Sequence, residues 1–439
     1  MINTPEGTWD RLFAECQERR QVQARLTRLF RQRGFLEVST PDTEFYDLFA
    51  LSGSAIPQER MIKVWDPSGK ICVMRPDSTT PIARVAATKL KNLPLPQRLY
   101  YDQTVFRSGD AHRGGSSEIA QCGVELIGAA GARADLEVVA LAVDALRSCG
   151  LTDFHVELGH AGFFRNLAAR MEMDEDEVER MRALIEGKNF AALNDLLEPY
   201  GDRPACQALR RLSRLFGGVE VLDEAEKLAG EHEALTYLRN LYRELEAAGY
   251  GAFIRFDLGL VHQIDYYTGV VFRGYADGAG NAVLSGGRYD GLTAAFGRSA
   301  PATGFAVDAD AVAGCLPLEE SPRLELLVYF EPGQLSWALT ALEQGGGGRR
   351  ELTDKSISPA LAQIMDGRQL YQHQPGQPPL PVSDYTDRYV LSTAAPILTQ
   401  GDVLGCVAFL CEKDHLEVAE SEHELAQAIA GFLGRHMES

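Results

Sequence analysis

The sequence lacks the features that mark membrane, secreted or metal-binding proteins. It has no run of about 18 apolar residues, so no membrane-crossing helix is expected. Residues 1–6 contain no basic segment followed by an apolar stretch, which predicts no secretory signal and a cytoplasmic location. The eight cysteines stand singly, without a C-x-x-C pair or zinc-type spacing to histidine. We therefore expect free thiols, no metal site and no cofactor.

Positive charge is also scarce. The 439 residues include 43 Lys and Arg against 62 Asp and Glu, a formal net charge of −19. Proteins whose main task is to hold RNA or DNA need a basic surface, because phosphate contacts supply much of the affinity. Nucleic acid is therefore not expected as the principal partner. The length, with 45% hydrophobic residues, predicts two or three globular domains with cores of their own.

Apolar periodicity predicts a mixed architecture. Helical spacing over residues 9–33, with Gly34 as its stop, indicates an amphipathic helix. Strands are predicted over residues 35–38, 71–74, 98–107, 118–128, 154–158, 253–258, 266–275 and 282–285. Residues 160–248 are rich in Glu, Leu, Arg and Ala and predict a helical insertion. Strands and helices segregated in this way are typical of an α+β fold on an antiparallel sheet.

Six segments resemble, in the same order, the motifs of the histidyl-tRNA synthetase family. They are residues 4–10 (TPEGTWD), 34–41 (GFLEVSTP) followed by Glu44, 74–79 (MRPDST), 105–107 (VFR) with Gln121 and Glu125, 265–269 (DYYTG) and 285–291 (SGGRYDG). Any one of these segments alone would be weak, but six in register are specific. The resemblance implies a class II aminoacyl-tRNA synthetase-like core over residues 1–320, in which an antiparallel sheet is flanked by helices.

By this resemblance a pocket for free histidine is expected from Asp77, Thr79, Arg107, Gln121, Glu125, Tyr266 and Tyr267. The two residues of the 74–79 segment and Gln121 match positions that hold the amino-acid end. Glu125 and Tyr267 match positions that hold the imidazole, and the arginine matches one that binds carboxylate and phosphate. These side chains supply the donors and acceptors that histidine needs. Taken alone, Glu125 equally fits a surface carboxylate, and the tyrosines equally fit ordinary strand aromatics.

Three positions depart from the synthetase pattern. Gly109 stands where the second class II motif has glutamate, His262 stands at the family's catalytic arginine, and Ala311 stands at the arginine of the third motif. Holding the triphosphate of ATP needs permanently charged, forked donors, and loss of one such contact costs roughly 10²- to 10³-fold in rate. No aminoacylation, and no catalytic residue, is therefore expected.

A synthetase-like core that keeps a histidine pocket but lacks the ATP-handling arginines resembles the regulatory subunits of ATP phosphoribosyltransferase. That resemblance implies a non-catalytic subunit that pairs with a short-form catalytic subunit for the first step of histidine biosynthesis. It also implies a part in feedback by histidine and a homodimeric core. Two alternatives stay open: an active histidyl-tRNA synthetase, and a metabolite-sensing module that uses the C-terminal tail.

The tail departs from this pattern. Residues 324–342 resemble only the opening strand and helix of the family's C-terminal domain, and a glycine run at 345–348 follows as a joint. Residues 351–359, 395–402 and 425–433 resemble the GAF-type half of the stage V sporulation transcription regulator. We thus expect a remnant over residues 321–345 and a partial GAF-like α/β module over 346–439, for packing, dimerisation or no evolved role. The strand within 324–330 is expected to complete the sheet of that module.

Overall fold

The computed structural model describes residues 4–51, 56–108, 116–201, 203–261, 267–316, 326–328, 358–382, 389–399, 402–413 and 420–436. The chain divides into two compact units, Met1–Leu318 and Glu319–Ser439. Within the described ranges no helix is long and apolar enough to cross a membrane. The same residues contain no group of three or more His, Cys, Asp or Glu side chains placed to hold a metal ion.

The first unit contains a nine-stranded sheet and a separate three-stranded sheet. Its strands are β1 (Leu36–Glu37), β2 (Thr43–Phe45), β3 (Lys63–Trp65), β4 (Ile71–Met74), β5 (Gln97–Phe106), β6 (Glu118–Ile127), β7 (Phe154–His160), β8 (Phe216–Gly217), β9 (Ile254–Asp257), β10 (Val270–Ala276), β11 (Leu284–Arg288) and β12 (Ala302–Asp308). The large sheet has the order β1-β5-β6-β12-β11-β10-β7-β9-β8, and the small one has the order β2-β4-β3.

The helices of this unit are α1 (Ala14–Gln32), α2 (Tyr46–Leu51), α3 (Thr79–Ala87), α4 (Ala132–Ser148), α5 (Ala161–Ala169), α6 (Glu175–Glu186), α7 (Phe190–Leu197), α8 (Pro204–Arg211), α9 (Glu220–Ala229), α10 (Glu233–Ala247) and α11 (Ala309–Gly314). Six of them, α5 to α10, lie in sequence between β7 and β9 and occupy the predicted helical insertion. Four of them, α5, α6, α7 and α10, begin at a residue whose side chain accepts a hydrogen bond from a backbone amide of the first turn. Asp174, for example, caps α6 by accepting from the Glu177 amide at 2.8 Å.

Helix α1 shows how the sequence pattern builds the core. Val22, Leu26 and Phe30 recur every four residues, so they share one helix face, and all three are fully buried. The Phe30 ring lies 6.1 Å from that of Tyr100 on β5 and 5.9 Å from that of Phe305 on β12. Burying three such side chains contributes about 1.5–3 kcal/mol each. The helix starts at Ala14, five residues after the predicted start.

The predicted fold class is confirmed, with one refinement. The six strands from β5 across to β7 pair antiparallel throughout. Towards the two edges, β1 pairs parallel with β5, and β9 pairs parallel with β7. The whole sheet is therefore mixed. Strand β12 was not predicted; it lies inside the sheet between β6 and β11 and carries mainly small and apolar residues.

The second unit is a small α/β module. It contains β13 (Leu326–Val328), α12 (Pro359–Gly367), β14 (Tyr371–Gln372), β15 (Tyr389–Thr399), β16 (Asp402–Glu412) and α13 (Glu420–His436), with strand order β13-β16-β15-β14. Leu326–Val328 pairs antiparallel with Val407 to Phe409, which confirms that the strand expected within 324–330 completes this sheet. The glycine run at 345–348 lies outside the described residues.

Candidate ligand-binding site

The nine-stranded sheet has two different faces because strand side chains alternate. On β6, Cys122, Val124 and Leu126 join the core under α1 and α4. Gln121 and Glu125, which alternate with them, line a cavity of about 460 Å³ on the opposite face. The cavity exists because small residues follow one another across that face.

Ser285 on β11 lies opposite Ala306 on β12, and Ala306 lies opposite Gly123 on β6. Tyr101 on β5 ends this row, where it lies opposite Gly123. The small side chains form the floor of the cavity.

The structure brings six of the seven predicted histidine-pocket residues to this cavity: Asp77, Thr79, Arg107, Gln121, Glu125 and Tyr267. They come from the loop before α3 and the first residue of that helix, from the hairpin of β5 and β6, and from the segment before β10. Tyr266, the seventh, lies outside the described residues. The convergence follows from the strand register, which places loops far apart in sequence at one face of the sheet.

Glu125 is the most tightly enclosed acidic group of the site. Its side chain is only 1% exposed. Thr79 Oγ1 donates a hydrogen bond to Oε1 at 2.7 Å, and the Tyr289 hydroxyl donates to Oε2. Burial disfavours the charged form and raises the pKa of Glu125 to about 8, although these two hydrogen bonds act in the opposite direction. The carboxyl is therefore mostly protonated near neutral pH and offers the cavity a neutral, polar group.

Three glycines make room for the side chains of this pocket. A Cβ on Gly304 would collide with Oε2 of Glu125 and with the Val124 carbonyl. A Cβ on Gly287 would lie 2.7 Å from the Tyr267 ring, and one on Gly123 would lie 2.5 Å from the Tyr101 ring. Gly287, in the 285–291 motif, must therefore be glycine, because only a hydrogen atom fits beside the Tyr267 ring.

Two oppositely charged residues lie at another part of the cavity wall. Asp77 accepts hydrogen bonds from the amide of Thr80 at 2.7 Å and from its hydroxyl at 3.2 Å, which fixes the carboxylate at the start of α3. Arg107 Nε donates to the Pro76 carbonyl at 2.8 Å. Burial raises the pKa of Asp77, and its hydrogen bonds with Thr80 and the charge of Arg107 oppose that shift. A carboxylate and a guanidinium in one cavity suit the two charged groups of a free amino acid.

The 285–291 motif is anchored by a buried ion pair. Arg288 Nε donates to Oδ2 of Asp135, at the start of α4, at 2.9 Å, and the Tyr237 hydroxyl of α10 donates to the same oxygen. A second guanidinium nitrogen of Arg288 donates to Asp290 at 3.0 Å. These contacts fix the backbone on both sides of Tyr289 and so hold its hydroxyl against Glu125.

Sequence reasoning missed several residues that line the cavity: Tyr101, Lys188, Arg273, Tyr275, Asn281 and Tyr289. Tyr289 lies within a recognised segment, but nothing there indicated its bond to Glu125. Lys188 lies in the helical insertion, where no motif pointed to a ligand. Only the register of β10 with its neighbours shows that Arg273 faces the cavity.

One of the three departures from the synthetase pattern is described by the structure. Ala311 lies in α11, where its amide donates to Oδ1 of Asp308 at 3.0 Å. The next acidic residue, Asp310, pairs with Arg11 at 2.9 Å and with Arg19. The position of the third-motif arginine therefore carries only the methyl group of Ala311, and Arg11 and Arg19 form ion pairs with Asp310. Gly109 and His262 lie outside the described residues.

Comparison with known proteins agrees with the two resemblances seen in the sequence. A family model described as histidyl-tRNA synthetase matches residues 7–312. A second model, described as stage V sporulation protein T C-terminal, transcription factor, matches residues 340–438. Two different family models thus match separate ranges of one chain.

Individual relatives are more specific. The chain is 44% identical to the ATP phosphoribosyltransferase regulatory subunit of Clostridium kluyveri, over 74% of this chain and 86% of that one. Its identity to the regulatory subunit of Acetivibrio thermocellus is 40%, over 76% and 82% of the two chains.

A solved structure from Bacillus halodurans, described as an ATP phosphoribosyltransferase regulatory subunit/histidyl-tRNA synthetase, has a TM-score of 0.70 at 33% identity, covering 79% of this chain and 90% of that one. The histidyl-tRNA synthetase of Nostoc, at 21% identity and a TM-score of 0.67 over 84% of this chain and 90% of that one, shares the fold.

Proposed function

The chain belongs to the ATP phosphoribosyltransferase regulatory subunits of the histidyl-tRNA synthetase family, and from this membership we propose that it assembles with a short-form catalytic subunit. As a regulatory subunit it is not itself the enzyme. In the proposed complex the partner carries out the first step of histidine biosynthesis and requires this chain, and histidine feeds back on the complex. Histidine can do so only if it binds two states of the complex unequally.

The enclosed Glu125 is the observation that supports histidine as the ligand. An imidazole has a donor and an acceptor nitrogen, and Glu125 and Tyr267 are the proposed partners for both in the same cavity, with Gln121 at the amino-acid end. Asp77 is the proposed partner of the ammonium group, and Arg107 is the proposed partner of the carboxylate. The family resemblance also implies Tyr266 beside the imidazole, and that role stays a prediction because Tyr266 lies outside the described residues.

The residue at position 311 supports a regulatory rather than a synthetic role. A developing charge on a transferring phosphoryl group needs fixed cationic donors, and an alanine methyl supplies none. The cavity can thus enclose an amino acid while lacking one of the groups that would activate it with ATP.

Assembly is tested by mixing the purified chain with the short-form catalytic subunit of its own organism. We expect one complex in size-exclusion chromatography at micromolar concentrations, and phosphoribosyl transfer by the mixture but not by this chain alone. Histidine-dependent ATP–pyrophosphate exchange by the chain alone would instead identify a synthetase. Two separate elution peaks, with no gain in transfer, would contradict the assembly.

The pKa of Glu125 predicts how histidine binding depends on pH. Free histidine has an imidazole pKa of about 6.5, and Glu125 has a pKa of about 8. Between these values the two groups together carry one proton, whether it lies on the carboxyl or on the ring. We expect the tightest binding in this window. Below it the ligand must release a proton on binding, and above it the complex must take one up.

Calorimetric titrations between pH 5.5 and pH 9 measure this profile. Glu125→Gln serves as the control, because its amide does not titrate and its affinity should lack the alkaline loss specific to Glu125. A decline shared by both proteins belongs to the ligand. An affinity of the parent protein that rises steadily through pH 8 would contradict a shared proton.

Other features of the proposal rest on the sequence. The homodimeric core is proposed from the resemblance to class II synthetases, and the cytoplasmic location is proposed because the relatives are subunits of a biosynthetic enzyme. The GAF-type character of the tail also stays a prediction, because the second family match concerns its sequence relationship.

A further inference from the structure

The cavity has a second group of polar residues, away from those assigned to histidine. Arg273 and Tyr275 lie on β10, Asn281 lies in the turn between β10 and β11, and Lys188 lies in the turn between α6 and α7. None of these four belongs to the six segments that carry the family resemblance. Three separate parts of the chain, one of them the helical insertion, therefore converge on this end of the cavity.

Strand register connects the two ends. Arg273 lies opposite Ser285 on one side and opposite Glu157 of β7 on the other. Ser285 continues the row of small residues through Ala306 to Gly123. Ser285 and Ala306, both small, therefore line the cavity between Arg273 and β6, the strand that carries Glu125.

Lys188 is held at the mouth of the cavity by its surroundings. Its backbone is left-handed, with φ of 54°, and the next residue, Asn189, caps α7 by accepting from the Ala192 amide at 3.2 Å. Burial raises the pKa of Glu157 and of Asp257, and the charge of Lys188 acts against that rise at both carboxyls. The ammonium therefore lies near two carboxyls that do not themselves line the cavity.

The chemistry of this end differs from that of the histidine end. A guanidinium stays charged at all ordinary pH values and offers a planar fork of donors, and an ammonium adds a compact second charge. Tyr275, whose ring stacks on His155 with centroids 5.7 Å apart, and Asn281 contribute neutral polar groups. Arg273 and Lys188 line the cavity, whereas Glu157 and Asp257, the carboxyls near them, do not, so the cations are the charged groups that this end offers to a ligand.

We propose that Arg273 and Lys188 bind the phosphate group of a phosphate monoester at this end of the cavity. Phosphate has more acceptor oxygens than a carboxylate. It can accept hydrogen bonds from the Arg273 guanidinium, the Lys188 ammonium and the Asn281 amide at the same time. The cavity volume falls in the range of about 300–1,000 Å³ that is typical of small-molecule sites, so it has room for a carrier group as well. This subsite does not depend on histidine binding.

Calorimetry on the full-length chain with three probes tests the subsite. Inorganic phosphate tests the anion alone, ribose 5-phosphate tests the monoester, and ribose tests the uncharged carrier. We expect both phosphate compounds to bind, the ester more tightly, and ribose to give no signal. Tighter binding of inorganic phosphate than of ribose 5-phosphate would overturn the proposal that the ligand is a monoester, and would indicate a site for the free anion.

Two variants assign the binding to the named cations. Lys188→Gln and Arg273→Gln should each weaken phosphate binding by about tenfold or more, because each removes a charge-assisted hydrogen bond. Lys188 is exposed in a turn, so its variant tests the subsite even if Arg273→Gln folds poorly. Arg255→Gln is the matched control. Arg255 lies on β9, next to Glu157 on the side away from Arg273, and it is exposed and does not line the cavity.

Histidine titrated into the same variants separates this proposal from the histidine site. Retained histidine binding with lost phosphate binding supports two subsites. Phosphate affinity that is equal in the parent and in both variants would overturn the assignment, and so would the absence of phosphate binding at millimolar concentration. Loss of both ligands in Lys188→Gln would show a single site and would also overturn it.

Discussion

Replacing Glu125 with alanine is expected to weaken histidine binding by roughly ten- to a hundredfold, since a buried polar group left without its hydrogen-bond partner costs about 1–3 kcal/mol. The change removes the proposed imidazole partner and also leaves the Tyr289 hydroxyl and Thr79 Oγ1 without their acceptor. Isothermal titration calorimetry near pH 7 measures the loss directly. Unchanged affinity would remove Glu125 from the histidine site.

Two controls separate this role from a general loss of structure. Glu125→Gln keeps a neutral group that can accept from Thr79 and Tyr289, so it should retain most of the affinity near neutral pH. Glu244→Ala, on the exposed face of α10, removes a carboxylate from the surface and should leave binding unchanged. Equal losses in the alanine and glutamine variants would show that the site requires an ionisable group.

The second large effect is expected at Gly304, where alanine should lower the free energy of unfolding of the first unit by about 2–3 kcal/mol. The added Cβ meets Oε2 of Glu125 and the Val124 carbonyl, and a backbone carbonyl in a central strand cannot move aside. Urea unfolding measures the change, with the transitions of the two units fitted separately because a single two-state fit does not apply.

Gly291→Ala is the matched control for this substitution. Gly291 lies in the same 285–291 motif, and a Cβ there would have no heavy atom within 4 Å. Its stability should change by only about 0.5 kcal/mol, as is usual for an open surface position. Similar losses at both glycines would show that the collision is not the cause, because Gly→Ala at an unstrained position reduces the entropy of the unfolded chain and does not by itself destabilise. Gly304→Ala should also reduce histidine binding, because Glu125 must shift.

The convergence of the residues proposed to bind histidine was predictable because they lie in motifs that resemble those of one family. Gln121 and Glu125 are four apart in a strand, so alternation alone places them on one face, and the structure places both at the cavity. Tyr289 was harder, because its bond to Glu125 joins residues that meet only through the pairing of β11 with β12 and of β12 with β6. Contacts of that kind depend on register across several strands, which a single sequence does not specify.

The same limit explains the missed strand and the missed cations. Strand β12 carries Gly304 and small residues because it lies beneath the cavity, so its pattern lacks the alternation that marks a half-buried strand. Lys188 reaches the cavity from an insertion whose composition predicts helices and nothing more. The local sequence pattern thus predicted most helices and strands. Which polar side chains line the cavity depends on the tertiary arrangement of the loops, which the local pattern does not contain.

The pairing of β13 with β16 separates two kinds of boundary in the tail. The sporulation-family match begins at residue 340, yet the sheet takes its outer strand from Leu326–Val328, upstream of that point. A fragment cut at the family boundary would expose the backbone N–H and C=O groups of β16, and open edges of this kind recruit other chains. The boundary of the family match and the boundary of the folded unit therefore lie at different residues. A fragment of this unit must include Leu326–Val328 if its sheet is to keep all four strands.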